Sequence, residues 1–401
     1  MSEPDPPRPP DRIPGVLAPP RVGPLRADAF PSRLHSERNA AWLGVALGVT
    51  FTVCFLTGFL SHLIQHPPGW FVWPSRPAWA YRVTQGVHVA TGLASIPLLL
   101  AKLWTVYPRL WTWPPVRGVA HLLERVSLVP LVGGSLFLLF SGLGAIARWY
   151  PYPFSFPPAH YAAAWITLGA LVVHVGAKLG ATRLALSSRS TELLEEGAGS
   201  ASGGLTRRGF LVTTVAATGL ITLTTVGQTF RPLARFALLA PRDPRVGPQG
   251  FPVNKTANRA VAARATDPGY RLTVEGNVAH PLSLSLADLR ALPQHQAVLP
   301  IACVDGWSAS ASWRGVRIRD LLGMAGAPHE PEADVISLQE PGVAYASSSL
   351  NRSHAADPDT LLALEVNGEP LHIDHGFPVR LIGPNRPGVM QTKWVTKVVV
   401  R

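Results

Sequence analysis

Ile301-Ala302-Cys303-Val304-Asp305-Gly306-Trp307-Ser308 sets a single cysteine in a short run with glycine and tryptophan. The chain holds one other cysteine, Cys54, inside an apolar stretch far upstream, so no structural disulfide between the two is expected. Taken alone, Cys303 reads in two ways. A cysteine is often a small buried hydrophobe. As a thiolate it is also a soft ligand for a high-valent metal. The rest of the chain has to decide between these readings.

At 401 residues the chain is long enough for two or three structural units. Only 15% of the residues are charged, low for a soluble protein, and 40 prolines with 36 glycines imply many breaks between elements. The formal charge of +12 does not come from a basic patch interleaved with aromatics, so nucleic acid is not an expected partner. Many of the basic residues instead flank apolar segments, as membrane topology signals do.

Residues 1–37 are rich in Pro and Arg and cannot bury a core, which predicts a disordered cytoplasmic tail. Four apolar stretches follow, near 40–62, 80–104, 122–147 and 159–181, each with the roughly 20 residues that span a bilayer. Together they predict an all-α membrane domain over residues 38–185. A fifth uncharged stretch lies at 209–230. Lys102, Arg109, Arg117 and Arg125 cluster after the second stretch, and Lys178, Arg183, Arg189, Arg207 and Arg208 after the fourth. The other connections offer only Arg76, Arg82 and Arg148, with Trp70, Trp73, Trp79, Trp149 and Tyr150 nearby. This alternation predicts a multi-pass protein of a bacterial cytoplasmic membrane, N-terminus inside and C-terminal domain outside.

Thr206-Arg207-Arg208-Gly209-Phe210-Leu211 precedes the fifth stretch and resembles the twin-arginine export signal. That resemblance implies the twin-arginine export machinery as a partner, which carries domains already folded around a cofactor. Residues 186–205 then read as a cytoplasmic linker, 206–230 as an anchor helix that is retained, and 231–249 as a second linker.

Ionisable residues inside a membrane are functional-site candidates by default. His62 and His66 end the first stretch, His88 lies in the second, His121 opens the third, and His160 and His174 lie in the fourth. Fourteen residues separate His160 from His174, which returns them to within about 40° of one helix face and about 21 Å apart along the axis. Two imidazoles so placed suit one haem near each membrane face. The first four helices are therefore similar to a di-haem b-type four-helix bundle. By depth, His88 or His62 pairs with His160 and His121 with His174. One or two b haems are expected, with His88, His160 and His174 first among the iron ligands. Arg82, Arg109 and Arg125 are placed to meet haem propionates or simply to flank the helices.

From residue 250 the pattern turns to short strands and helices: Tyr270–Val274 as a strand, Ser285–Leu292 and Ile318–Met324 as helices, and Trp394–Val400 as a last strand. An ordered series runs through this region. It comprises Leu272-Thr273-Val274-Glu275-Gly276, the Cys303 run, Trp313-Arg314-Gly315-Val316, Asn367-Gly368-Glu369-Pro370-Leu371, His375-Gly376-Phe377-Pro378-Val379-Arg380 and Lys393-Trp394-Val395. The series resembles the molybdopterin-binding domain of the sulfite oxidase superfamily. The resemblance implies an α+β domain over 250–401, a molybdopterin cofactor and Cys303 as the molybdenum thiolate and catalytic centre. It also implies cofactor contacts at His375, Arg380, Gln391, Thr392 and Lys393, and at Asn254 upstream. Arg supplies a bidentate clamp and Lys a point charge for a pterin phosphate.

Animal and plant sulfite oxidases follow the metal cysteine with arginines, whereas Val304-Asp305-Gly306-Trp307-Ser308 supplies none. That departure favours the bacterial periplasmic methionine-sulfoxide-reductase type, with small-molecule or protein sulfoxides as substrates and quinone or quinol as electron partner. The residue that this type places between the metal cysteine and the final motifs has no match near Val335–Glu340. The alternative is a non-catalytic membrane electron-transfer or anchoring protein with a molybdopterin-like domain. Arg207→Lys combined with Arg208→Lys is expected to leave the C-terminal domain in the cytoplasm. Protease accessibility of intact spheroplasts reads this, and unchanged external exposure would contradict the export signal.

Overall fold

The computed structural model describes residues 23, 24, 26, 29, 30 and 32–401, except 112, 115, 117, 188–205, 228–230, 241 and 305. Most of the expected N-terminal tail and nearly all of the 186–205 linker lie outside the described residues.

Among the described residues, five helices are long and apolar enough to cross a membrane. They are α1 (Glu37–Gln65), α2 (Ala80–Val106), α3 (Val119–Ala147), α4 (Phe156–Ser187) and α5 (Arg207–Val226). The first and fourth run beyond their apolar cores, the first because the polar turn Glu37–Asn39 precedes its apolar residues. Ser36 accepts from the backbone N–H of Asn39 at 3.2 Å and so starts α1 before its first apolar residue. Pro67 and Pro68 follow its end. Thr206 caps α5 in the same way, accepting from Gly209 N at 3.1 Å. Pro97 and Pro130 lie inside α2 and α3, where each removes one backbone donor.

The chain divides into two compact units, one of residues 1–48, 95–141 and 154–217, the other of residues 49–94, 142–153 and 218–401. In the first unit, α3 and α4 approach closely: a Cβ on Gly134 would lie 2.2 Å from Thr167 Oγ1. Phe140 packs on Phe156 with ring centroids 5.8 Å apart. Lys178 of α4 pairs with Glu124 of α3. Arg207 Nε donates to Asn39 Oδ1 at 3.0 Å, so the first of the paired arginines ties α5 to α1.

The second unit carries two five-stranded sheets. The first has the order β2 (Leu282–Ser285), β1 (Arg271–Gly276), β10 (Val395–Val400), β5 (Ala333–Ser337), β6 (Ser347–Leu350). Its first-formed and last strands, β1 and β10, pair in parallel with Thr273 opposite Lys397. The second sheet runs β3 (His295–Ala302), β4 (Ser308–Arg317), β7 (Leu361–Val366), β8 (Glu369–Pro370), with β9 (Arg380–Ile382) also on β7.

Alternation decides which side chains go inward. Leu272 and Val274 on β1, and Val395, Val398 and Val400 on β10, are buried with Val335 of β5. They form one core with Leu289 of α7 (Leu286–Ala291) and with Ile318, Leu321 and Leu322 of α8 (Ile318–Met324); α6 (Arg259–Ala265) adds Val261. Ser285 is the N-cap of α7, in a reciprocal capping box with Asp288. Trp394 lies just outside β10 because its backbone is left-handed, at φ 51°. A second core, with Trp313, Leu299, Ile301 and Phe251, surrounds Cys303 on the other sheet.

Residues 67–80, between α1 and α2, are bound to this C-terminal domain. Trp73 Nε1 donates to Asn385 O at 2.9 Å and Asn385 Nδ2 to Pro74 O at 2.8 Å. Asn351, which caps α9 (Arg352–Ala356), donates to Trp73 O at 2.9 Å. Arg76 pairs with Asp357 at 2.9 Å and also with Asp359. The expected domain boundaries at 185 and 250 therefore follow the sequence order, while the compact units follow these long-range contacts.

Candidate active site

Cys303 follows β3 and opens the turn into β4. Its N–H donates to Trp307 O at 2.9 Å, and Gly306 N donates to Cys303 O at 3.2 Å. Gly306 is required twice over: its φ is 88°, and a Cβ there would lie 3.1 Å from Val89 Cγ1 of α2. The turn therefore holds the thiol, only 4% exposed, on a rigid hairpin end. Gln85 of α2 fastens the turn from outside, its Nε2 donating to Val304 O at 3.3 Å. Gln85 is itself fixed by Ser61 at 3.2 Å, and Ser61 bonds Tyr81 Oη at 3.1 Å. Tyr81 N in turn donates to Asn385 Oδ1 at 2.7 Å. All four side chains are buried.

The predicted cofactor residues converge behind this turn. Arg380, on β9, is buried beneath the Trp313 ring, 5.3 Å from its centroid. Its Nη1 donates to His375 O at 3.0 Å, but Nε and Nη2 have no partner. Burial pushes the guanidinium down to about 10, so it stays charged at neutral pH. Lys393 is fully buried, donating to Lys255 O at 2.8 Å and Asp374 O at 2.7 Å. Burial first, then the charge of Arg380, pushes its amine well below the usual lysine value. Asp374 and Cys303 act in the opposite direction on it, which places Lys393 in electrostatic reach of the thiol.

His375 stacks on Phe251 at 4.0 Å and donates from Nε2 to Pro248 O at 2.8 Å. Burial pushes it down to about 3, so the ring is neutral and its buried Nδ1 is an unpartnered acceptor. Asn254 Nδ2 is also buried without a partner. Gln391 and Thr392 lie in the same turn as Lys393, but their side chains are used within the protein. Gln391 both accepts from Gly383 N and donates to Gly383 O, each at 2.9 Å, and Thr392 bonds Ser348 at 2.7 Å.

Arg386 is a buried cation that sequence reasoning missed. It donates from Nη2 to Ser349 O at 3.0 Å and Met390 O at 3.1 Å, leaves Nε unpartnered, and is pushed by burial down to about 9. Tyr345 was missed too. Its ring lies 5.2 Å from Lys393 Nζ, in a left-handed backbone at φ 69°, beyond the Val335–Glu340 window where a residue was sought. Arg386 falls in Gly-Pro-Asn-Arg-Pro, which advertises a turn and nothing more.

Among the described residues, none of Arg380, Lys393 and Arg386 forms an ion pair. Buried guanidinium groups without counter-ions are costly, and a lysine amine pushed down by burial is favoured as a cation beside an anion, so the cradle is built for an anion. A thiolate, two partnerless guanidinium nitrogens, a lysine and an acceptor imidazole fit a phosphorylated pterin that carries a metal. Residues 259–401 match the family described as the oxidoreductase molybdopterin binding domain. The C-terminal part of the chain is thus a molybdopterin-binding oxidoreductase domain of the sulfite oxidase superfamily.

Mitochondrial sulfite oxidase of Rattus norvegicus is 34% identical over 176 residues, 37% of this chain and 32% of that protein. The uncharacterized oxidoreductase YuiH of Bacillus subtilis is 34% identical over 127 residues, 31% of this chain and 62% of that protein. A crystal structure of the sulfane dehydrogenase SoxCD from Paracoccus pantotrophus aligns with a TM-score of 0.32 and 23% identity, over 39% of this chain and 43% of that one. The chain spans about a third of the length of the mammalian sulfite oxidases that it matches.

The candidate haem ligands fall in both units. In the second unit, His88 Nδ1 bonds Cys54 O at 2.8 Å, and a Cβ on Gly58 would lie 2.7 Å from the His88 ring, so only glycine admits it. His62 stacks on His66 at 4.6 Å. In the first unit, His160 Nδ1 bonds Ser141 Oγ at 2.8 Å. His174 Nδ1 is buried without a partner, and Arg125 Nε donates to His121 Nε2 at 3.4 Å. His121 and His174 both lie in electrostatic reach of Glu124.

His354, behind the site, gives a pH signature. Burial first and Arg386 second push it from 6.5 down to about 3. Its stabilising effect is complete above pH 6.5 and is lost as pH falls toward 3, because only the unfolded chain takes up the proton. Between pH 6.5 and 5, the stability of the detergent-solubilised chain against denaturation, followed by tryptophan fluorescence, should fall by about 1 kcal/mol per pH unit relative to His354→Gln. Parallel pH profiles for the two proteins would contradict the assignment.

Proposed function

We propose that the chain is a membrane-anchored molybdenum oxidoreductase that transfers an oxygen atom to or from its substrate outside the cytoplasm and exchanges electrons with the quinone pool. The observation that carries this is the buried cationic cradle around Cys303, with Arg380 and Lys393 lacking counter-ions. Cys303 would hold the metal as thiolate, Arg380 and Lys393 would take the pterin phosphate, and Asn254 and His375 would offer a donor and an acceptor to the pterin. The bound group supplies the two-electron oxygen-transfer chemistry. The protein's share is to bind, orient and dry the site. The Cys303–Trp307 turn fixes the thiol, Trp313 and Phe251 exclude water beneath it, and neutral His375 adds no further positive charge.

The substrate is a sulfoxide or a related oxide before sulfite, because the turn after Cys303 carries no arginine. Five apolar helices support membrane attachment. Two observations support b-type haems. His88 and His160 each have Nδ1 held by an oxygen atom, a contact that would orient the ring with Nε2 toward an iron. His174 keeps an unpartnered nitrogen. Haems on these residues would carry single electrons between quinol and the external site. Tat-type export follows from Thr206–Leu211, and the structure adds a second use for Arg207, its bond to Asn39.

The test is to reduce the purified full-length chain with dithionite and add sulfoxides, N-oxides or sulfite in turn. Reoxidation of a b-type haem spectrum by a sulfoxide, abolished in Cys303→Ala, is expected. A preparation without molybdenum, or undiminished reoxidation in Cys303→Ala, would overturn the proposal.

A further inference from the structure

An open cavity of about 330 Å³ adjoins Cys303, and one of its walls belongs to α2. Arg82, Val83, Gly86, Val87 and Ala90 line it, at spacings that place them along one side of the helix. Ala302, Cys303, Gly306, Trp307 and Ser308 form the facing wall. Arg82, Gln85, Trp307 and Ser308 bring polar side chains to these walls. Trp307 Nε1, which can only donate, is buried without a partner, and so is Ser308 Oγ. Arg82 is exposed, and no ion pair or hydrogen bond of its side chain is present among the described residues. No acidic side chain lines the cavity among the described residues. Val83, Val87 and Ala90 add apolar surface beside the guanidinium.

We infer that this cavity is the substrate site and that Arg82 pairs there with an anionic group of the substrate. The inference rests on the proposed oxidoreductase reading and narrows its substrate class to small anionic oxides with an apolar portion. The turn after Cys303 carries no arginine; the guanidinium on the cavity wall comes from a helix more than 200 residues earlier in the chain, and the apolar stripe beside it sets the substrate apart from sulfite. A planar guanidinium is the side chain best suited to a carboxylate or another oxyanion. The apolar stripe beside it takes the alkyl part. Gly86 keeps that stripe open, since nothing lies within 4 Å of where its Cβ would stand.

The test uses a pair of redox-inert probes, 3-(methylsulfonyl)propanoate and uncharged dimethyl sulfone, titrated calorimetrically into the full-length chain. The anionic probe should bind at least about 10-fold more tightly than the neutral one, a charge-assisted contact of about 1.4 kcal/mol. Arg82→Gln should abolish that preference without weakening the neutral probe, and Arg82→Lys should restore part of it. Gly86→Leu should weaken both probes together. With the corresponding sulfoxides as substrates, Arg82→Gln should raise KM for the anionic one alone. An equal preference in wild type and Arg82→Gln would overturn the inference, as it would if Arg82 served only the lipid headgroups. Molybdenum content of the same preparations reads the oxidoreductase proposal separately: metal present with an unchanged preference sinks Arg82 alone.

Discussion

Buried positive charge without a counter-ion is the constraint on which the C-terminal domain depends. Arg380 and Lys393 are almost wholly inaccessible, and Arg386 nearly so, yet none meets a carboxylate among the described residues. Backbone carbonyls of Lys255, Asp374, His375, Ser349 and Met390 satisfy part of their hydrogen-bonding capacity. They do not cancel the charge. Breaking or leaving open a buried ionic site costs several kcal/mol. The domain therefore reaches its most stable form with an anion in place, and folding and cofactor loading become linked processes.

The geometry of that linkage runs through short segments between strands. The β3–β4 turn offers the thiol, β9 offers Arg380, and the turn before β10 offers Lys393. These segments are brought together because β1 and β10 close one sheet in parallel while β3, β4 and β7 stack the other. The loop between α1 and α2 adds to the same construction. Gln85, Ser61 and Tyr81 form a buried polar chain from α1 to Val304 and Asn385, so the metal-side turn is held partly by residues of apolar helices. A domain of this kind cut free at residue 250 would lose that support.

Periodicity and local chemistry made much of this legible. Hydropathy located all five long helices, and the boundary errors came from polar turns such as Glu37–Asn39, which a cap rather than an apolar residue sets. The motif series placed Cys303, His375, Arg380 and Lys393, and the structure brings them together. Gln391 and Thr392 share the turn with Lys393 but have side chains committed to Gly383 and Ser348, which depends on packing. Arg386 and Tyr345 escaped because a Pro-rich turn and a left-handed tyrosine carry no signature of burial. That Gln85 bonds the turn after Cys303, and that Arg82 lines the cavity beside it, could not be read at all. They lie more than 200 residues away, on a helix whose sequence announces only a membrane span.

The central claim is that Cys303 is a metal thiolate in an anion-binding cradle, and molybdenum K-edge X-ray absorption on the full-length chain tests it most directly. A metal shell with two pterin sulfurs and a third from Cys303, reduced by one sulfur in Cys303→Ser, is the predicted result. An identical sulfur count in wild type and Cys303→Ser would contradict the account.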